Sequence, residues 1–179
     1  MATLSSSRTR RSRSRTAEAT RQVLTFKLQD EWFALPLEAV RKVSVLGDIY
    51  GDGNHSGISL TVFEGRELVV VDVARRIFSQ SDIGSSQSNA AGAIASNNST
   101  APSFLIVVSN SEDNWVGLPT QTPPAVRRIP ASAFTPLPET YRAAGTIQYV
   151  SSLAVQTEGE PPMFVLDRDR LIAGTLATV

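Results

Sequence analysis

Few side chains in this sequence are equipped for chemistry, and their spacing limits what they can do. The one histidine, His55, lies in the glycine-rich stretch Gly47–Gly57 together with Asp48, Asp52 and Asn54. Oxygen ligands in such a loop suggest a hard cation. Their positions break the 1, 3, 5 alternation of a calcium loop, and no glutamate closes it at the twelfth position. The stretch therefore reads as an ordinary turn, and His55 has no triad partner beside it. A second charged run, Asp167-Arg168-Asp169-Arg170, could pass for a catalytic cluster. Helix capping by Asp167 and exposed helix charge account for it. With no cysteine in the chain, a thiol nucleophile, a disulfide framework and a thiolate metal site are all excluded. The glycine-rich segments lack the lysine of a phosphate loop. No catalytic residue, metal site or cofactor is expected, and the chain reads as a non-enzyme.

The formal net charge of zero hides an asymmetry. Residues 1–21 carry six arginines (Arg8, Arg10, Arg11, Arg13, Arg15, Arg21) against one acid, Glu18, for +5. Residues 22–179 carry eleven bases against sixteen acids, for −5. The arm over 1–21 alternates Arg with Ser and Thr and has no hydrophobic period, so it is expected to be disordered. It raises an alternative function, a nucleic-acid-binding β-barrel acting through this arm. The arm has no aromatic residue to stack on bases, and no folded basic face is visible in the sequence, so nucleic acid is not the expected partner. No apolar run is long enough to span a bilayer and no signal-peptide core opens the chain, which implies a soluble, cytoplasmic protein.

The rest of the chain falls into two comparable segments, 22–78 and 104–175. Between them, residues 79–103 are rich in Ser, Asn and Ala and read as a flexible linker. The segments repeat each other. Trp32-Phe33-Ala34-Leu35-Pro36 matches Trp115-Val116-Gly117-Leu118-Pro119, and Ala39-Val40-Arg41-Lys42-Val43 matches Ala125-Val126-Arg127-Arg128-Ile129. Leu68-Val69-Val70-Val71-Asp72 likewise matches Met163-Phe164-Val165-Leu166-Asp167. Three matches in one order argue for a tandem duplication. Leu24, Phe26 and Leu28 alternate with polar residues as in a half-buried strand, and Trp32 to Leu35 supplies the return strand of a hairpin. Phe104–Val108 and Trp115–Leu118 predict a second hairpin, and Val69–Val71 a buried strand. Asp72 and Asp167 are placed to cap short helices, with Arg75, Arg76 and Arg170 in their last turns. Both tryptophans are expected in the core.

Taken together, these residues resemble the CheW-like domain family of bacterial chemotaxis adaptors. The first segment of that family runs as a strand, a turn, an aromatic residue with "ALPI", then an "AVREV"-like short helix. Here that reads Phe26 through Trp32-Phe33-Ala34-Leu35-Pro36 to Val43. Its "NLRG" loop and "VPVIDLR" strand resemble Val62-Phe63-Glu64-Gly65 and Leu68–Val73. Its second half resembles Val116-Gly117-Leu118, Val126–Ile129 and Val165–Ile172. This chain departs from the pattern in three ways. Ser59 stands in a glycine's place, the insertion between halves is long, and Pro119–Pro124 replaces "LVDEV", which predicts a broken or edge strand there.

The resemblance implies a mainly β fold of two SH3-like, five-stranded β-barrel subdomains around a shared core, with short helices. It also implies a non-enzymatic signalling adaptor in a chemotaxis, phototaxis or pilus-motility pathway, recruited to membrane receptor arrays. Its partners would be the cytoplasmic tip of a methyl-accepting receptor and the regulatory domain of a histidine kinase. The receptor-facing positions would be Val40, Lys42, Val43, Phe63 and Glu64. The family commonly carries Glu and Arg where this chain has Lys42 and Glu64, so these two are expected to pair with their charges exchanged.

Overall fold

The computed structural model describes residues 18–51, 57–78, 103–140, 149–155 and 159–176. The arm upstream of residue 18, the linker up to residue 102, and the loop residues Asp52, Asn54 and His55 lie outside the described residues.

Period-two patterning sets the strands. Strand β1 (Thr20–Leu28) takes in the last two residues of the expected arm and pairs antiparallel with β2 (Glu31–Pro36), Phe26 opposite Phe33. Leu24, Phe26, Leu28, Phe33 and Leu35 go to one core, whereas Val23 and Ala34 alternate to another. Strands β3 (Val40–Val45), β4 (Ile49–Tyr50), β5 (Ile58–Phe63) and β6 (Arg66–Val71) follow, then helix α1 (Val73–Phe78). The second half repeats the plan. Strands β7 (Phe104–Ser109) and β8 (Trp115–Thr120) form its hairpin. After them come β9 (Ala125–Pro130), β10 (Phe134–Pro136), β11 (Val150–Ala154) and β12 (Met163–Leu166), then helix α2 (Arg168–Leu176).

The strands sort into two six-stranded sheets with matching order. Sheet A reads β9-β1-β2-β12-β11-β10 and sheet B reads β3-β7-β8-β6-β5-β4. Each contains one parallel pair, β2 with β12 and β8 with β6. Their registers put Ala34 beside Val165 and Gly117 beside Val70. These residues stand at the same places in the repeated sequence motifs, so topology and sequence describe the same duplication. The hairpins, however, are exchanged. The first half's β1–β2 completes the sheet of the second half, and β7–β8 completes the sheet of the first. Sheet membership therefore does not follow the segments 22–78 and 104–175.

Both sheets curl shut. Strands β9 and β10 lie at opposite edges of sheet A, yet one 3-10 turn, Ala131–Ala133, connects them. Strands β3 and β4 lie at opposite edges of sheet B and are joined across residues 46–48. So short a connection requires the two edges to meet. Each such pair acts as one bent strand, which gives five strand positions per barrel, the architecture expected from the family resemblance.

Between the barrels lies the main core. It joins Phe26, Phe33 and Leu35 of sheet A to Ile106, Val116 and Leu118 of sheet B, with Leu171 and Ile172 of α2. Phe33 stacks at 6.3 Å from Phe26 and 5.6 Å from Phe164, ring centre to ring centre. Each barrel also has a small interior of its own. Val23, Ala34, Ile129, Ala154, Met163 and Val165 fill barrel A; Leu68, Val70, Leu105 and Val107 fill barrel B. Two hydroxyls stitch the barrels together through the backbone of one residue, Lys27. Thr122 Oγ1 accepts from the Lys27 N–H at 3.0 Å, and Thr120 Oγ1 donates to the Lys27 carbonyl at 3.0 Å.

Three local expectations need correction. The short helix expected over Ala39–Val43 is a single 3-10 turn, Leu37–Ala39, followed directly by strand β3. Val40, Val43 and Val45 are β-branched and suit a strand better than a helix. The break expected over Pro119–Pro124 falls later than Pro119: β8 runs on through Pro119, opposite Leu105, to Thr120, and residues 121–124 form no strand. The parallel register with β6 falls at Gly117, so the missing N–H of Pro119 lies beyond it. Arg170 sits in the first turn of α2 rather than the last. There it pairs with Asp167 at 3.4 Å, while the Asp167 carboxylate accepts the N–H groups of Asp169 and Arg170 at 3.1 Å each.

Gly117 tests the barrel B interior. A Cβ there would come within 2.7 Å of Leu105 Cδ1 and 3.2 Å of Leu68 Cδ2. Gly117→Ala is expected to lower stability by about 1–3 kcal/mol, the range for overpacking a filled core. An unchanged urea midpoint would show that Leu105 moves aside freely.

Asp72 provides a pH test. Its carboxylate accepts the Arg75 N–H at 2.9 Å and caps α1. Burial raises its pKa from the ordinary 3.8, outweighing the lowering by the Arg75 and Ala74 N–H groups and the Arg75 charge. With the folded pKa above the unfolded one, the folded state holds the extra proton, so this group's contribution falls as pH rises from 3.8 through the folded value. Asp72→Asn keeps a capping oxygen without the buried charge. The variant is expected to equal or exceed the natural protein in stability at neutral pH, with the difference shrinking in acid. Urea midpoints of both proteins across that range check it, and a difference that grows on acidification would contradict it.

Candidate functional site

Strand β3 carries three of the five expected partner-facing residues, and a bulge sets their directions. Val40 pairs with Val108 and Lys42 with Val107, which leaves Arg41 without an opposite residue. Val40 and Val43 stand opposite Val108 and Ile106, on the side of β3 that faces the shared core. Val40 packs against that core half-buried, and Val43 is exposed. Lys42 alternates to the other side.

There it meets the β5–β6 turn. Phe63 pairs with Arg66, leaving Glu64-Gly65 as a two-residue loop with φ of 50° and 75°. Two successive positive φ values are the hairpin pattern that matches strand twist, natural for glycine and costly for glutamate. Lys42 Nζ donates to Glu64 Oε1 at 2.5 Å and lies 5.4 Å from the centre of the Phe63 ring. The Phe63 side chain in turn leans on the barrel B interior. The structure thus gathers Lys42, Phe63 and Glu64 into one contact group, with Val40 and Val43 on the opposite side of the same strand. The ion-paired side chains are 51% and 56% exposed, so the pair contributes about 0–1 kcal/mol to stability. It can do more to fix the shape and charge of the surface than to hold the fold.

A second group beside it is not evident in the sequence. The bulge frees Arg41 to donate from Nε to Ser109 Oγ at 2.7 Å and from Nη2 to Asp113 Oδ1 at 2.8 Å. Trp115 Nε1 donates to the same Asp113 oxygen at 3.0 Å. This ties β3 to the β7–β8 turn. It also corrects the expectation that both tryptophans are core residues. Trp115 is 38% exposed, with its indole N–H satisfied at the surface. Trp32, its counterpart, is half-buried against the barrel A interior, with Lys27 and Arg127 over its ring. Both rings have cations over them, Arg41 lying 6.0 Å from the centre of Trp115, but Trp115 is held outward by a turn carboxylate while Trp32 packs against a barrel interior, and a repeat motif does not encode that.

Among the described residues no cluster of His, Asp or Glu could hold a metal ion, and no helix is long and apolar enough to cross a membrane. Barrel B instead combines exposed apolar side chains, Val43 and Val45 on β3 and Leu60 and Val62 on β5, with fixed charges. That composition suits docking of another protein.

Residues 22–175 match the family model described as the CheW-like domain. The chain belongs to the CheW-like domain family. Its fold is similar to that of the scaffolding protein TtCheW from Thermoanaerobacter tengcongensis, with a TM-score of 0.61 and 17% sequence identity. The match covers 86% of this chain and 88% of that one. No curated protein matches the sequence. Membership makes this a chemotaxis-type scaffold domain, and in this CheW-like chain the Lys42 and Arg41 groups lie side by side on barrel B.

Single-tryptophan variants check the surface described. With Trp32→Phe, the remaining Trp115 is expected to be quenched readily by acrylamide. With Trp115→Phe, the remaining Trp32 is expected to be quenched less. The reverse order would contradict the placement.

Proposed function

We propose that the chain is a non-catalytic adaptor that couples methyl-accepting receptors to a histidine kinase in a chemotaxis-type pathway, of which phototaxis and pilus motility are variants. The receptor's cytoplasmic tip docks beside β3, where Val40 and Val43 offer an apolar strip and Lys42, Phe63 and Glu64 offer a charged, aromatic edge. The kinase regulatory domain, itself of the same general build, docks elsewhere on the barrels. Such an adaptor works in the cytoplasm at receptor arrays and needs no cofactor. It acts by holding two partners so that the conformation of one biases the other, which is a coupling free energy rather than a reaction.

One observation supports this reading above others. The Lys42–Glu64 contact sits on an exposed surface where it adds little stability, with the exposed apolar Val43 on the other side of the same edge strand. A contact of that kind is better explained by recognition than by folding.

A double-mutant cycle tests it, with binding to a purified receptor-tip fragment measured by calorimetry. Lys42→Glu alone and Glu64→Arg alone each place like charges together and are expected to weaken binding. The double variant is expected to recover much of the loss. Additivity within about 0.3–0.5 kcal/mol would remove the pair from the binding surface. No binding of the fragment by the natural protein would overturn the receptor-adaptor reading itself.

A further inference from the structure

The two halves of the duplication carry the same pair of side chains beside β2 and β8. Trp32 and Trp115 are equivalent in the repeat, as are Arg127 and Arg41. The bulge in β3 gives the two arginines different registers, yet each guanidinium reaches its tryptophan. Arg127 lies 5.3 Å from the Trp32 ring centre, and Arg41 lies 6.0 Å from that of Trp115. In barrel B a carboxylate joins the pair. One oxygen of Asp113 accepts from Arg41 Nη2 at 2.8 Å and from Trp115 Nε1 at 3.0 Å. The turn that delivers it spans residues 110–114. It folds around the Asn110 side-chain oxygen, which accepts the N–H groups of Glu112 and Asn114.

Barrel A is built differently at that point. Leu28 pairs with Glu31, so the β1–β2 turn is only Gln29-Asp30, and Glu31 alternates to the opposite side of β2 from Trp32. Among the described residues no carboxylate pairs with Arg127, and no acceptor takes the Trp32 indole N–H. Lys27 stands where barrel B has Ser109, each directly opposite its tryptophan. It brings a second cation to 5.5 Å from the same ring centre, likewise without a carboxylate among the described residues. All three side chains share one side of the sheet. Val23 and Lys27 alternate in step along β1, Trp32 is opposite Lys27, and Arg127 is opposite Val23. Arg128, opposite Gln22, belongs to the other side. Two like charges against one ring repel each other, so both gain from an arriving anion.

We propose that the Lys27–Trp32–Arg127 group of barrel A is a docking site for a carboxylate carried on an acidic segment of a partner protein. The repeat itself supplies the pattern, because in barrel B the equivalent pair already holds an aspartate presented by a turn. Hydrogen bonds from guanidinium to carboxylate are among the stronger polar contacts, and an indole N–H can only donate. Both donors therefore call for the same kind of acceptor. The group is open rather than enclosed, with residues 125–128 exposed and Trp32 half-buried. An open site gives a small free anion few contacts, whereas a polypeptide segment adds more on either side of its carboxylate. Lys42 and Glu64 lie on the other barrel, so this site is independent of the receptor reading and is tested without a receptor.

In the full chain carrying Trp115→Phe, Trp32 is the one tryptophan left, and its fluorescence reports on this site alone. Titration with a capped hexa-aspartate peptide at low salt is expected to change that signal saturably, and added salt to weaken the binding. Arg127→Gln and Lys27→Gln are each expected to weaken it roughly threefold to tenfold, with the thermal transition unchanged. Arg128→Gln, on the other side of β9, is expected to leave it as it was. Absence of a saturable change would overturn the proposal. So would equal weakening by Arg128→Gln, because the peptide would then be sensing general charge. Tighter binding of a DNA duplex or of phosphatidylglycerol vesicles would assign the group to phosphate instead. Free succinate binding as tightly as the peptide would reduce it to a small-anion site and overturn the acidic-segment assignment.

Discussion

Everything in this molecule depends on the parallel contact that each hairpin makes with the opposite half of the chain. Strand β2 lies against β12, and β8 against β6. Without those two seams neither barrel has its central strands, and the main core, built largely from the inner faces of the two hairpins, has no walls. The segments before and after the linker are therefore complementary pieces of one unit. Cutting the chain between them would leave each piece with a hairpin that belongs to the other. Long-range pairing of this kind also favours slow folding, since neither half can close until the other's hairpin has been brought to it.

The same arrangement explains what is legible in the sequence and what is not. The duplication is legible because strand equivalents keep their residue types. Ala34 and Gly117 are both small where a barrel interior is tight, and Val165 and Val70 both face them across a parallel seam. The exchange is not legible. A repeat says which residues are equivalent, but not whether a hairpin folds back on its own half or crosses to the other. The meeting of Lys27 and Arg127 over Trp32 is hidden for that reason, because these residues become neighbours only by that crossing.

Local geometry sets the remaining limits at the candidate site. The contact of Lys42 with Glu64 follows from two motifs that the family resemblance aligns, and both side chains are long enough to meet across a short turn. Arg41 carries no such signal. Its position off the ladder results from a one-residue bulge, and a bulge has no fixed composition. Trp115 escapes a reading by motif because the motif matches Trp32, while its burial is decided by Asp113, a turn residue held at φ of 59°. Repeats carry the scaffold well and the environment of each copy poorly.

Barrel closure has a consequence for how such a protein can associate. An open sheet presents a rim of unused N–H and C=O groups to which any extended chain can add. Here the terminal strands of each sheet are the two ends of one bent strand, joined through Ala131–Ala133 in barrel A and through residues 46–48 in barrel B. The rim is folded in on itself. Each half of a bent strand is paired on one side only, so what remains open is two short edges rather than one long rim, and recognition between copies and partners falls mainly to side chains. For a scaffold domain this makes selectivity a property of surface residues, free to change while the backbone stays the same.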